Sequence, residues 1–185
     1  MEIRVIPLDK AVEDRAHWLV RLRWIAGGVV ILFSLAAALA LPGMRAVPVI
    51  GVGLAILLYN VLIRLGLSRL GPKRSLHLQI LLDWLALAVL CHFTGGLESP
   101  FLPFFIFHVI LAGMLVSRRA CLRHGLVAIA IISGMTLLEY TGFYPPTQLP
   151  GFLPSPRYDN LYYLLLFLGS FSILILLTVY LSTTV

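Results

Sequence analysis

Six long apolar runs limit what this chain can fold into more than any other feature. They are roughly Trp24–Leu41, Val47–Leu65, Leu76–Phe93, Leu102–Val116, Leu122–Tyr140 and Asn160–Thr183. A bilayer core about 30 Å thick takes about 20 apolar residues per helix. In lipid, every backbone polar group must be paired within the protein, which helices achieve on their own. The runs therefore predict an all-α, polytopic membrane protein with six transmembrane helices. The breaks have physical causes. Pro42-Gly43 ends the first run, and Gly71-Pro72-Lys73-Arg74 separates the second from the third. Arg118-Arg119 divides the fourth from the fifth, and a stretch from Pro145-Pro146 to Pro154-Ser155-Pro156 precedes the sixth. Pro and Gly punctuate helices, and paired charges resist burial in lipid.

Composition agrees. Of 185 residues, 60% are hydrophobic and 12% charged, where soluble domains carry about 25% charged. Mean hydropathy is +0.98. The N-terminus is polar and lacks a short apolar core followed by small residues, so no cleavable leader is expected. Residues 1–22 read as a cytoplasmic segment and residues 23–185 as the helical domain. Cys91 and Cys121 lie at opposite ends of different spans, so no disulfide is expected, and neither belongs to a C-x-x-C pattern.

Lys and Arg set the orientation. Arg4, Lys10, Arg15, Arg21, Arg23, Arg64, Arg69, Lys73, Arg74, Arg118, Arg119 and Arg123 fall on one face, and only Arg45 and Arg157 on the other. Both termini are then expected in the cytoplasm. The net charge of +6 reflects this bias and attraction to anionic lipid. The basic residues are short flanks rather than one groove, which argues against nucleic-acid binding. Trp18, Arg21, Arg23, Trp24 and Trp84 read as interfacial anchors. Gly27-Gly28, Gly51, Gly53 and Gly66 read as points of close helix approach.

The loop between the third and fourth runs is Gly95-Gly96-Leu97-Glu98-Ser99-Pro100-Phe101. Glycines allow positive φ and a close backbone approach. Ser99 stands where a helix N-cap would, and Pro100 suits a first helical turn. Phe101 offers a flat apolar face at interfacial depth. Such a loop can hold a flat lipophilic ring. Four ionisable side chains lie within or at the ends of the runs: Asp83, His92, His108 and Glu139. They are costly in lipid and should face the bundle interior. Asp83 is expected about 10 Å from the cytoplasmic end of its helix. The other three cluster toward the outer leaflet, beside the loop. Each also has a plainer reading: Asp83 and His108 as buried interhelical contacts, His92 and Glu139 as interfacial groups reaching water. His92, His108 and Glu139 would make a two-histidine, one-carboxylate metal set if they converged, but nothing in their spacing requires it.

The heptad resembles the G-G-x-x-N-P-F motif of RegB-type redox-sensing histidine kinases, with Ser99 in place of the family's Asn. Leu22-Arg23-Trp24-Ile25-Ala26, Tyr59-Asn60 and Asp83 are also similar to that family's membrane domain. The resemblance spans nearly the whole chain. It implies a transmembrane sensor region in a bacterial inner membrane, with ubiquinone or menaquinone as the sensed ligand. The implied quinone site comprises Gly95, Gly96, Leu97, Glu98, Ser99, Pro100 and Phe101, with His92 and His108 as carbonyl partners and Glu139 exchanging protons. It further implies a homodimer and a cytoplasmic kinase region beyond Val185, which would use ATP and Mg and pass phosphate to a response regulator. No catalytic kinase residues occur in these 185 residues. A competing reading is a small transporter or membrane enzyme subunit with Asp83 and Glu139 as proton-relay carboxylates. No internal repeat or pair of broken helices favours it. A third reading is a structural anchor whose loop senses a protein partner.

Overall fold

The computed structural model describes residues 8–40, 46–145, 147 and 160–184. The architecture is all-α: α1 Leu8–Ala40, α2 Ala46–Leu70, α3 Pro72–Phe93, a 3₁₀ turn at Gly96–Glu98, α4 Phe104–Leu115, α5 Arg118–Tyr140 and α6 Leu161–Thr184. Five of these helices, all but α4, are long and apolar enough to cross a membrane. Large apolar side chains such as Leu32, Leu39, Val47, Leu166 and Ile173 point outward, as expected where lipid rather than water is the solvent.

Two elements differ from the sequence-based expectation. α1 starts at Leu8 and runs for 33 residues, because no Pro or Gly interrupts 8–26. Its early part docks on α4: the Arg15 guanidinium donates to the Leu115 carbonyl at 3.1 Å, supplying a partner and a positive charge at a helix C-terminus. α4 has only 12 residues, about 18 Å of helix. Its would-be first turn is a run of tight turns, in which Leu102 N–H bonds Ser99 O and Phe104 N–H bonds Phe101 O.

α3 and α5 run parallel and in register. His77 pairs with His124 and His92 pairs with Glu139, and both pairs are 47 residues apart. The two contacts are separated by 15 residues on each helix, about 22 Å along the axis. Two helices that run in the same direction require the chain between them, residues 94–117, to turn back along the bundle.

α1 and α2 meet through Gly27 and Gly53. A Cβ on Gly27 would lie 2.6 Å from Leu57, and one on Gly53 2.6 Å from Ile31. Gly28 and Gly51 face open space, so only one residue of each expected pair makes the close approach. The close approach expected at Gly66 falls outside the described surroundings. Gly113 and Gly125 do the same work for α6, against Ser182 and Val179. The core centres on Trp84, Phe105, Val109, Ile132 and Ile175, each essentially inaccessible. Trp84 stacks on Phe105 at 5.4 Å, so it is a core residue rather than an interfacial anchor. Trp18 and Trp24 are exposed, as anchors should be.

Candidate functional site

The heptad is built by two adjacent positive-φ glycines. α3 ends at Thr94, whose hydroxyl donates to Leu90 O at 2.7 Å. Gly95 then takes φ 118° and Gly96 φ 62°, values that a side chain would make costly. The reversal carries Leu97 into the bundle, where it is buried, and leaves Glu98 and Pro100 exposed. Ser99 is buried. It shares a hydrogen bond with the Thr94 hydroxyl, and its Oγ accepts the Phe101 N–H at 3.2 Å. Ser99 is therefore not the N-cap of α4, a position held by Pro103; its side chain instead closes the turn that precedes the helix.

Phe101 swings away from α3 and meets Phe33 of α1 edge-on, with centroids 5.7 Å apart. There it borders a cavity of about 260 Å³ among α1, α2, α3 and α4. The walls are largely apolar: Ile25, Val29, Leu87, Leu90, Phe104 and Phe107 among them. Ile25, Val29, Phe104 and Phe107 are also exposed on the outer surface, so the cavity borders the lipid-facing side. Its volume is close to the lower limit for small-molecule sites, about 300 Å³.

The polar lining is confined to His108, Arg23, Tyr59 and Asp83. His108 Nδ1 lies 2.8 Å from Phe104 O. A carbonyl only accepts, so Nδ1 carries the proton and Nε2 is the ring's remaining polar atom. Arg23 forms a bidentate pair with Asp83: Nε to Oδ1 at 2.6 Å and Nη2 to Oδ2 at 2.7 Å. Arg23 Nη1 also donates to Gln79 at 2.7 Å, and Tyr59 donates its hydroxyl to Asp83 Oδ1 at 2.7 Å. Arg23 is only 3% exposed, so it is a buried charge with its counter-ion, not the surface anchor the sequence suggested.

His92 and Glu139 lie elsewhere. His92 Nδ1 and Glu139 Oε1 are 2.9 Å apart in a buried pair, and the Tyr144 ring stacks on His92 at 4.4 Å. They border a second cavity of about 420 Å³ between α3 and α5. Of the expected site residues, Phe101 and His108 line the first cavity and His92 and Glu139 the second, while Gly95, Gly96, Leu97, Glu98, Ser99 and Pro100 line neither. Phe101 and His108 face α1; His92 of α3 and Glu139 of α5 face each other. Among the described residues, no three His, Cys, Asp or Glu side chains group in a way that could hold a metal ion.

Sequence reasoning noticed Arg23 and Tyr59 without assigning them to a site, and it missed the His77–His124 pair, whose ring nitrogens are 2.8 Å apart. A signal for the division was present. Asp83 and His92 are nine residues apart, which at 100° per residue puts them about 180° apart around α3. The equal spacing of 15 between the polar residues of α3 and those of α5 was the corresponding signal for the α3–α5 pairs. Comparison with family models, curated proteins and solved structures returns no match.

Proposed function

We propose that this chain is the membrane signal-input region of a RegB-type two-component histidine kinase, and that it binds a membrane quinone, ubiquinone or menaquinone. In this reading α4 and its lead-in turn complete six crossings, with both termini in the cytoplasm of a bacterial cell and the heptad at the periplasmic face. The observation that carries the reading is the position of Phe101: the heptad's aromatic closes an apolar, lipid-bordering cavity whose few polar groups can meet the oxygens of a flat ring. Occupancy or redox state of the quinone biases the packing of the bundle. α6, which contacts both α4 and α5, passes that bias to a kinase region that functions as a homodimer and phosphorylates a response regulator. A ligand can shift such an equilibrium only by its differential affinity for the two states; a tenfold difference is about 1.4 kcal/mol.

The test is titration of the purified protein with oxidised and reduced long-chain ubiquinone and menaquinone, in parallel with Phe101→Ala. Saturable binding weakened by Phe101→Ala is the expected result. Absence of saturable binding by either form of either quinone refutes the reading.

A further inference from the structure

We propose that the Arg23–Tyr59–Asp83 cluster is the recognition end of the cavity. It holds the oxygen-bearing head of the ligand, while the isoprenoid chain runs outward past Phe101. The identity of the ligand rests on the quinone reading above; the placement of its head rests on the geometry that follows.

Distance separates the two ends. Phe33, which touches Phe101, is ten residues beyond Arg23 on α1, about 15 Å along the axis. A six-membered ring is far shorter than that, so one ring cannot contact both Phe101 and Arg23. The walls between them are apolar on every side: Val29 and Val30 from α1, Leu87 and Leu90 from α3, Phe104 from α4. An apolar passage suits a hydrocarbon chain, and a carbonyl or hydroxyl placed there would lack a partner at a cost of about 1–3 kcal/mol. The polar head therefore belongs where the polar groups are.

The cluster has unused capacity of both kinds. Arg23 uses three N–H groups in its bonds to Asp83 and Gln79, and a guanidinium carries five. The remaining N–H groups can donate to a quinone carbonyl. Asp83 Oδ2 accepts from Arg23, and the Tyr59 oxygen, which donates to Asp83 and lies beside Arg23, has two lone pairs. Both can accept from a quinol hydroxyl. His108, seven residues inward of Phe101, faces the same cavity from α4.

Tyr59→Phe tests this, since it removes one hydroxyl and leaves the fork in place. Two probes are titrated against wild type, Tyr59→Phe and Phe101→Ala: a tail-less dimethoxy-methyl-benzoquinone and the same ring bearing three isoprenoid units, each oxidised and reduced. Tyr180→Phe, on the outer face of α6, serves as a hydroxyl-loss control. The expected result is that Tyr59→Phe weakens both probes about tenfold in at least one redox form, equivalent to 1.4 kcal/mol, while Phe101→Ala weakens only the tailed probe. Unchanged affinities in Tyr59→Phe overturn the placement, as does equal weakening of the tail-less probe by Phe101→Ala, which would put the head at the loop. In either case wild-type binding keeps the quinone reading alive. No binding to wild type of either probe, or of the matching methyl-naphthoquinone with and without isoprenoid units, removes both.

Discussion

Removing one partner of the Arg23–Asp83 pair should cost more than removing both. Arg23 is 3% exposed and the Asp83 side chain 11%, so neither charge can turn to water when its partner is lost. Breaking such a pair costs about 3–5 kcal/mol, whereas replacing both ions by apolar groups is often neutral or better. In Arg23→Met, Asp83 keeps only the Tyr59 hydroxyl. In Asp83→Leu, Arg23 keeps the Gln79 oxygen and the Tyr59 ring but no counter-ion. The double variant has no stranded charge but leaves Gln79 Oε1 and the Tyr59 hydroxyl short of a partner, which together set a penalty of about 1–3 kcal/mol. The double variant should therefore be more stable than either single one. The assay is reversible unfolding in mixed micelles, followed by helical circular dichroism, with all four proteins of the cycle measured together. Additive single costs, giving a double variant about 6–10 kcal/mol below wild type, would show that the two side chains do not interact and would refute the argument.

Two further predictions concern packing and the loop. Gly53→Val should destabilise the protein by about 1–3 kcal/mol through overpacking, because the new Cβ meets Ile31 at 2.6 Å and the Gly27 carbonyl at 3.3 Å; Gly51→Val, facing open space, should change stability by less than about 0.5 kcal/mol in the same unfolding assay. Ser99→Ala should cost about 1 kcal/mol and should speed hydrogen exchange at the Phe101 amide, which would lose its acceptor.

Much of the fold was readable because lipid imposes a single rule on every helix. Apolar length and Pro, Gly and charge breaks located α2, α3, α5 and α6 to within several residues. The start of α1 was missed because polarity marks where a helix leaves the membrane, not where it stops being helical. α4 was overestimated because Leu102 and Pro103 were counted as helix, although the bonds from Leu102 N–H to Ser99 O and from Phe104 N–H to Phe101 O fold that stretch as tight turns. At the site, the direction of each side chain was not legible. His92 and His108 were both expected near the outer leaflet, yet one faces α5 and the other α1. Residue spacing around α3 contains that information, but choosing the face that meets each neighbour requires knowing that α3 and α5 are parallel. Arg23 was misread because a positive charge near a helix end is usually a flank; only the matching carboxylate on α3 and the hydroxyl on α2 make its burial tolerable.

The most direct test of the account is photolabelling with an azido-substituted, isoprenoid-tailed benzoquinone, followed by peptide mapping. The account predicts label on the cavity walls around Arg23–Val30, Tyr59 and Asp83–Leu90, displaced by excess unlabelled quinone. Label concentrated around His92, Glu139 and Tyr144, or label that excess quinone does not displace, would contradict it.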